Sequence, residues 1–461
     1  MQANISTVSG AGAPRERPPG GLISIPYLIL RASSAGGALA MGFVQTFVFA
    51  RILSPERFSI FIVVGAIGYS LWVTDLGLAK ILFVNLRRPY LTGGRDEAAA
   101  RQATAVMLFY GLLAVAAAAV CFAVALAQFS STLRGAAELS LFILYITLNL
   151  AWFSFRSISI AVDLFVFYEK LELARRAVNI ATMLAMLGGL PLIAFLVASN
   201  LLWAVLFATA ATKLIQRGAL VAHLRGHFSA LLAFFRHNRD SIARSATGAL
   251  SGVFIANFPY YVVPIWFGLG AAPIILEVTF RIFRGSCVIF AAICDLAIPG
   301  QTRALAARDV GRLVRTTLLV AALCCVPAAI ACALLVFAGP PLFIFLLRSA
   351  ATVPSAITPI LVVLITTSIL QIVAEALLQY TGFFRSLAYN GAAVLIGMMA
   401  ATTIAAAAQF DLIDFLTAYS VVYAAGAVAL TIAAIYGPIR AAARTDRAAS
   451  FGGWLRSWRG A

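Results

Sequence analysis

Mostly apolar stretches, each long enough at about 18 residues or more to cross the hydrocarbon core of a bilayer as a helix, recur along this chain between short polar gaps. Twelve such spans are expected near 24–50, 58–86, 101–127, 138–165, 174–197, 200–220, 242–267, 271–299, 314–338, 355–380, 387–408 and 413–437. The longest gap, roughly 221–241, splits them six and six. The pattern therefore predicts an all-α integral membrane protein of about 12 transmembrane helices in two pseudo-symmetric six-helix bundles. In residues, this means a polar tail at 1–22, a first bundle at 23–220, a linker at 221–241, a second bundle at 242–438 and a basic tail at 439–461. A faint internal repeat agrees with that division. Arg31-Ala-Ser-Ser-Ala-Gly-Gly-Ala-Leu opens the first span and Arg244-Ser-Ala-Thr-Gly-Ala-Leu-Ser-Gly opens the seventh, and each is followed by a helix ending in Asp-Leu, at Asp75 and Asp295.

Charge orients the spans. Basic residues crowd every second gap: Arg87, Arg88 and Arg95, then Lys170, Arg175 and Arg176, then Arg225, Arg236 and Arg239, then Arg303, Arg308, Arg312 and Arg315, then Arg385. The alternate gaps hold only Arg51, Arg57, Arg134 and Arg348. This asymmetry predicts that both termini face the cytoplasm. No separate cleavable signal peptide is recognisable in the polar first twenty residues.

Composition narrows the class further. The chain is 62% hydrophobic and only 11% charged, which excludes a soluble globular surface. A net charge of +17 invites a nucleic-acid reading, but no basic domain stands apart from the spans, so topology and anionic lipid headgroups account for it. The six cysteines all sit in apolar surroundings without metal-ligand spacing, so neither a metal nor a cofactor is expected. A preference for Ala, and for Arg over Lys, points to a bacterial source.

A few charges lie inside the spans, where an ionisable group is costly and signals function. Arg31, Arg156, Arg244, Arg281 and Arg284 are the candidate substrate-binding residues; Asp75, Glu277, Asp295 and Glu375 are candidates for coupling transport to an ion gradient. They form stripes. Glu277, Arg281 and Arg284 follow at i, i+4 and i+7, on the same face as Asp295. Asn149, Trp152, Arg156, Ser159 and Asp163 repeat the spacing in the fourth span. Arg31, Ser34, Ala38, Gly42 and Gln45 do so in the first, and Gln371, Glu375 and Gln379 in the tenth. Four polar faces are expected to line one water-filled cavity between the bundles, whose guanidinium groups suit phosphate oxygens. The competing reading makes Glu277 with Arg281, and Arg156 with Asp163, structural ion pairs, and Asp75 a helix-to-helix hydrogen-bonding group.

The stretch Ala50-Arg51-Ile52-Leu53-Ser54-Pro55-Glu56-Arg57-Phe58, followed by an apolar helix and Thr74-Asp75-Leu76-Gly77-Leu78, resembles the first two helices of polysaccharide-export flippases. These belong to the multidrug/oligosaccharidyl-lipid/polysaccharide (MOP) superfamily. Leu276 through Pro299 resembles their eighth helix, although Ser59 and Glu277 depart from the common pattern. The resemblance implies a flippase of the bacterial inner membrane that moves undecaprenyl-pyrophosphate-linked oligosaccharide by alternating access, with Arg31, Arg281 and Arg284 at the headgroup. It also implies membrane lipids, a polysaccharide polymerase and export machinery as partners. A cation-coupled multidrug antiporter of the same superfamily is the alternative, and a membrane-embedded glycosyl transferase or polymerase the third reading. An antiporter for cationic drugs favours an acidic, aromatic cavity, whereas an enzyme favours convergent acids or histidines near a water-facing loop.

Overall fold

The structure, a computed structural model, describes residues 25–439 except 72–74, 76–77, 92–95, 129–131, 223–225, 307–308, 349–350 and 382. The tail read at 1–22, and that at 439–461 beyond its first residue, lie outside the described residues. Fourteen α-helices, and no strand, occur among the described residues. They are α1 (Ile25–Ile52), α2 (Pro55–Ser70), α3 (Leu78–Leu91), α4 (Glu97–Gln128), α5 (Leu133–Ala161), α6 (Phe165–Ala185), α7 (Leu192–Gln216) and α8 (His227–His237). The remainder are α9 (Arg239–Phe267), α10 (Ala271–Ala306), α11 (Val310–Leu347), α12 (Ile357–Thr381), α13 (Phe384–Ala407) and α14 (Leu412–Ala434). With α2 and α3 sharing one pass and the short α8 making none, this is a multi-pass membrane fold of 12 transmembrane helices in two bundles.

Among the described residues, eight of these helices contain a stretch long and apolar enough to cross a membrane: α1, α4, α5, α7 and α11 to α14. The other passes, α2/α3, α6, α9 and α10, are interrupted by a break, by prolines or by charge. Their polar groups are tolerable only where protein or water, not lipid, surrounds them.

The repeat hinted at in the sequence is present in the packing. In the first bundle α1 packs on α6, α4 on α5, and α5 on α2, α3 and α7. The second bundle repeats this: α9 packs on α13, α11 on α12, and α12 on α10 and α14. Each bundle has an aromatic heart. Trp152, Trp203, Phe155, Phe207 and Tyr168 interlock in the first; Tyr260, Phe280, Phe283, Tyr419 and Tyr423 do so in the second. Outward-facing leucines and valines such as Leu319, Leu323, Val326, Ile330 and Leu334 run exposed along α11, as a lipid-facing surface requires.

Three expectations need correction. The second span is not continuous but breaks between α2 and α3, because Asp75 folds back as a cap. Its Oδ1 accepts from Ala79 N at 3.2 Å, a local bond that competes with helix continuation. The boundary between the fifth and sixth spans lies ten residues earlier than expected, at Met186–Pro191, not 198–199. There Gly189, at φ +101, closes a short 3-10 turn and Pro191 is the N-cap of α7. Asn200, at the expected start of the sixth span, lies inside α7 and donates to the Leu141 and Leu196 carbonyls. Finally, Lys170, Arg175 and Arg176 do not lie in a connecting loop; α6 carries them, and Arg175 is buried.

Candidate functional site

A cavity of about 460 Å³ lies between the bundles, walled by α1, α2 and α5 on one side and by α9 and α10 on the other. Its walls are mostly apolar and aromatic, with Phe49, Phe58, Phe61, Tyr69 and Phe142 contributed by the first bundle. The second bundle supplies the charge. Helical spacing places Glu277, Arg281 and Arg284 on one face of α10, and all three line the cavity.

These groups hold one another in place. The Arg281 guanidinium donates to Glu277 Oε1, and the other carboxylate oxygen accepts from the Tyr260 hydroxyl at 2.6 Å. Arg284 donates to the Ala256 carbonyl at 2.8 Å and to Asn257 Oδ1 at 3.0 Å, with its guanidinium 4.8 Å from the Tyr260 ring centre. Among the described residues that line the cavity, two cations stand against one carboxylate. Arg281 Nε is buried without a hydrogen-bond partner, while the side chain as a whole is 23% exposed at the cavity, where its guanidinium can meet an anionic group.

Across the cavity, Gly42 admits the arginine. A Cβ there would lie 3.0 Å from Arg281 Cδ and 3.1 Å from Nη1. Gly42→Val is therefore expected to displace the guanidinium and raise the substrate KM, with protein yield unchanged. A variant with the wild-type KM would show that Arg281 does not meet substrate from this position.

The two bundles also meet where the end of α1 packs on the end of α11. Arg51 donates to Phe345 O at 2.6 Å and Leu346 O at 3.1 Å, satisfying carbonyls at the C-terminus of α11, and lies 3.4 Å from the centre of the Phe47 ring. The Phe47 and Phe345 rings pack at a tilt beside it, centroids 5.0 Å apart. Arg51→Ala should loosen this contact, read as a wider distance distribution between spin labels on the ends of α1 and α11. An unchanged distribution would show that Arg51 does not tie the two helices.

The remaining sequence candidates are placed elsewhere. Arg156, on α5, faces Glu169 at 4.0 Å, whereas Asp163 pairs with Arg87 at 2.6 Å, so the expected Arg156–Asp163 pair does not form. The reason is local: Asp163, at φ +57, turns the chain out of α5. Asp75 accepts from the Tyr110 hydroxyl at 2.8 Å, a helix-to-helix bond. Glu375 is exposed on α12 and does not line the cavity. Arg31, Arg244 and Asp295 lie on α1, α9 and α10, but their side chains are outside the described residues. Of the four polar stripes, those of α1 and α10 reach the cavity, through Ala38, Gly42, Gln45 and the α10 charges. The α5 stripe turns inward to its own bundle, where Trp152 donates to Glu172 at 2.8 Å, and the α12 stripe does not line the cavity.

Sequence reasoning missed two groups. Tyr260 and Asn257, which position the arginines, carry no charge and gave no signal beyond their place four and seven residues before Pro264. Glu172 with Arg175 and Arg176 forms a buried ionic cluster in the first bundle, with Arg175 donating to Glu172 at 2.7 and 2.8 Å. The i, i+3, i+4 spacing of these three was the available signal.

No family model matches the chain, and no curated protein matches it in sequence. Solved structures do match. An inward-facing multidrug resistance MATE family transporter of the MOP superfamily has a TM-score of 0.63 at 13% identity, covering 91% of this chain and 99% of its own. An outward-facing MATE family transporter scores 0.61 at 14% identity, over 91% and 97%. A MOP superfamily transporter from Pyrococcus furiosus, described as having a binding pocket of reverse polarity that suggests a different function, scores 0.60 at 13% identity, over 91% and 97%. Over nine-tenths of its length, this chain has the fold of MOP-superfamily transporters.

Proposed function

We propose that the protein is a secondary transporter, not an enzyme, that exports drug-sized amphiphilic compounds by alternating access of its two bundles. The observation that carries this reading is the inter-bundle cavity. Its 460 Å³ falls in the range of about 300–1,000 Å³ typical of small-molecule sites, and aromatic walls surround a few convergent polar groups. An apolar body would lie against Phe49, Phe58, Phe61 and Phe142, while an anionic or strongly polar end meets Arg281 and Arg284. The multidrug transporters among the structural neighbours support this scale of substrate over a lipid-linked oligosaccharide. Glu277 and Asp75, each held by a tyrosine, are the acids on which an ion gradient would act. The charge asymmetry of the connections supports an inner-membrane orientation with both termini in the cytoplasm.

A second reading is favoured by one specific observation, the excess of guanidinium groups over carboxylates among the described residues that line the cavity. In that reading the anionic end is the pyrophosphate of a lipid-linked oligosaccharide, and membrane lipids, a polymerase and export machinery are the partners. Expression in a bacterium stripped of its own efflux pumps separates the two. Lower accumulation of fluorescent amphiphiles with an unchanged pool of lipid-linked oligosaccharide supports the exporter. Rescue of a strain that accumulates cytoplasm-facing repeat units, without any change in amphiphile accumulation, would replace it by the flippase.

A further inference from the structure

Helix α8, within the segment that joins the bundles, presents three different faces. On the first, His227 and Phe234 are buried and the Phe235 ring meets Phe109 of α4 edge-on, centroids 6.3 Å apart. Next round the helix, Phe228 is 81% exposed and Leu232 42% exposed. On the third, Ser229, Arg236 and His237 are exposed, and Arg239 follows at the start of α9. A helix in water would not place an exposed phenylalanine and leucine one turn apart between a packed face and a basic one. A helix lying in a bilayer surface would.

Depth supports this placement independently. The chain leaving α7 is pinned to α4 by a bond from Val221 N to Thr104 Oγ1 at 3.0 Å. The last charge on α4 is Arg101, and Phe109 lies about 12 Å further along at about 1.5 Å per residue. Phe235 thus touches α4 within its apolar, membrane-spanning part. Charge supplies the occupant. No acidic residue occurs from 173 to 239, whereas Lys213, Arg217, Arg225, Arg236 and Arg239 all do.

We propose that α8 is a membrane-surface anchor that inserts Phe228 and Leu232 among acyl chains and holds anionic phospholipid headgroups with Arg236 and Arg239. It rests on the membrane-spanning fold and not on the transport reading. The anchor fixes the connection between two bundles to the plane of an anionic leaflet, because each basic side chain near such a surface favours binding.

The test uses the full chain carrying Phe228→Trp, with the wild-type protein as the fluorescence background. In nanodiscs, the added emission should be quenched by brominated phosphatidylcholine and spared by iodide. Quenching by iodide with no effect of bromine would overturn the insertion. In detergent, titration with phosphatidylglycerol should shift the added emission at lower lipid concentration than phosphatidylcholine. Arg236→Gln and Arg239→Gln should each weaken the phosphatidylglycerol response about fivefold and leave the phosphatidylcholine response unchanged. Equal responses to the two lipids in the parent would overturn the headgroup site. Neither measurement involves transport, so failure of the transport reading leaves the result interpretable.

Discussion

Arg281→Ala is expected to abolish most transport in proteoliposomes while the protein still reaches the membrane. The guanidinium lies at the cavity wall with its side chain 23% exposed, and its Nε has no partner in the protein. Hydrogen bonds to a charged group contribute about 1.5–3 kcal/mol each, so the loss corresponds to roughly ten- to a hundredfold in affinity. Alanine also leaves Glu277 held by the Tyr260 hydroxyl without its guanidinium, and that residual charge would itself repel an anion. The double variant Glu277→Gln, Arg281→Gln separates the two effects, since it removes both charges together and leaves no stranded carboxylate. It should fold and still fail to transport anionic amphiphiles. Wild-type transport by either variant would mean that Arg281 does not contact substrate.

The opposite phenotype is expected in the first bundle. Glu172→Ala should sharply reduce the yield of folded protein, because Glu172 is the acceptor for Arg175, Arg176 and Trp152 at a site that is almost wholly buried. Breaking a buried ion pair by removing one partner costs about 3–5 kcal/mol, since the remaining charge is stranded without water. Two guanidiniums would be stranded here. Their burial matters: the Arg175 and Glu172 side chains are 4% and 5% exposed, against 23% for Arg281. Fluorescence-detected size exclusion should therefore show aggregation for Glu172→Ala and a normal monodisperse peak for Glu277→Gln, Arg281→Gln. Similar profiles for the two would show that burial does not distinguish the clusters.

Much of this architecture was legible in the sequence because the bilayer imposes a length and a polarity on every pass. The twelve apolar stretches and the division near residue 230 follow from that constraint alone. The limits appear where a local backbone preference opposes the apolar pattern. Asp75 breaks a hydrophobic stretch because its carboxylate bonds the Ala79 amide, and Gly189 with Pro191 ends a helix that hydropathy would continue. At the site, Arg281 and Arg284 were visible as charges in a span, and their spacing with Glu277 placed them on one face. Spacing does not say which way a face points. The α5 stripe looked equivalent, yet it turns toward α6 and α7, where Glu172 receives Trp152 and Asn179 bonds Ser199. Arginines read as loop residues, Arg175 and Arg176, lie within α6 and are largely buried against Glu172, because hydropathy does not separate a paired charge from a solvated one.

The most direct test of the central claim is the affinity of the purified protein for two amphiphiles of identical aromatic body, one ending in a sulfonate and the other in a quaternary ammonium, measured by calorimetry with wild type and Arg281→Ala. An inter-bundle site governed by Arg281 and Arg284 predicts tighter binding of the sulfonate by the wild type and loss of that preference in the variant. Equal or tighter binding of the ammonium compound by the wild type, unchanged in Arg281→Ala, would contradict it.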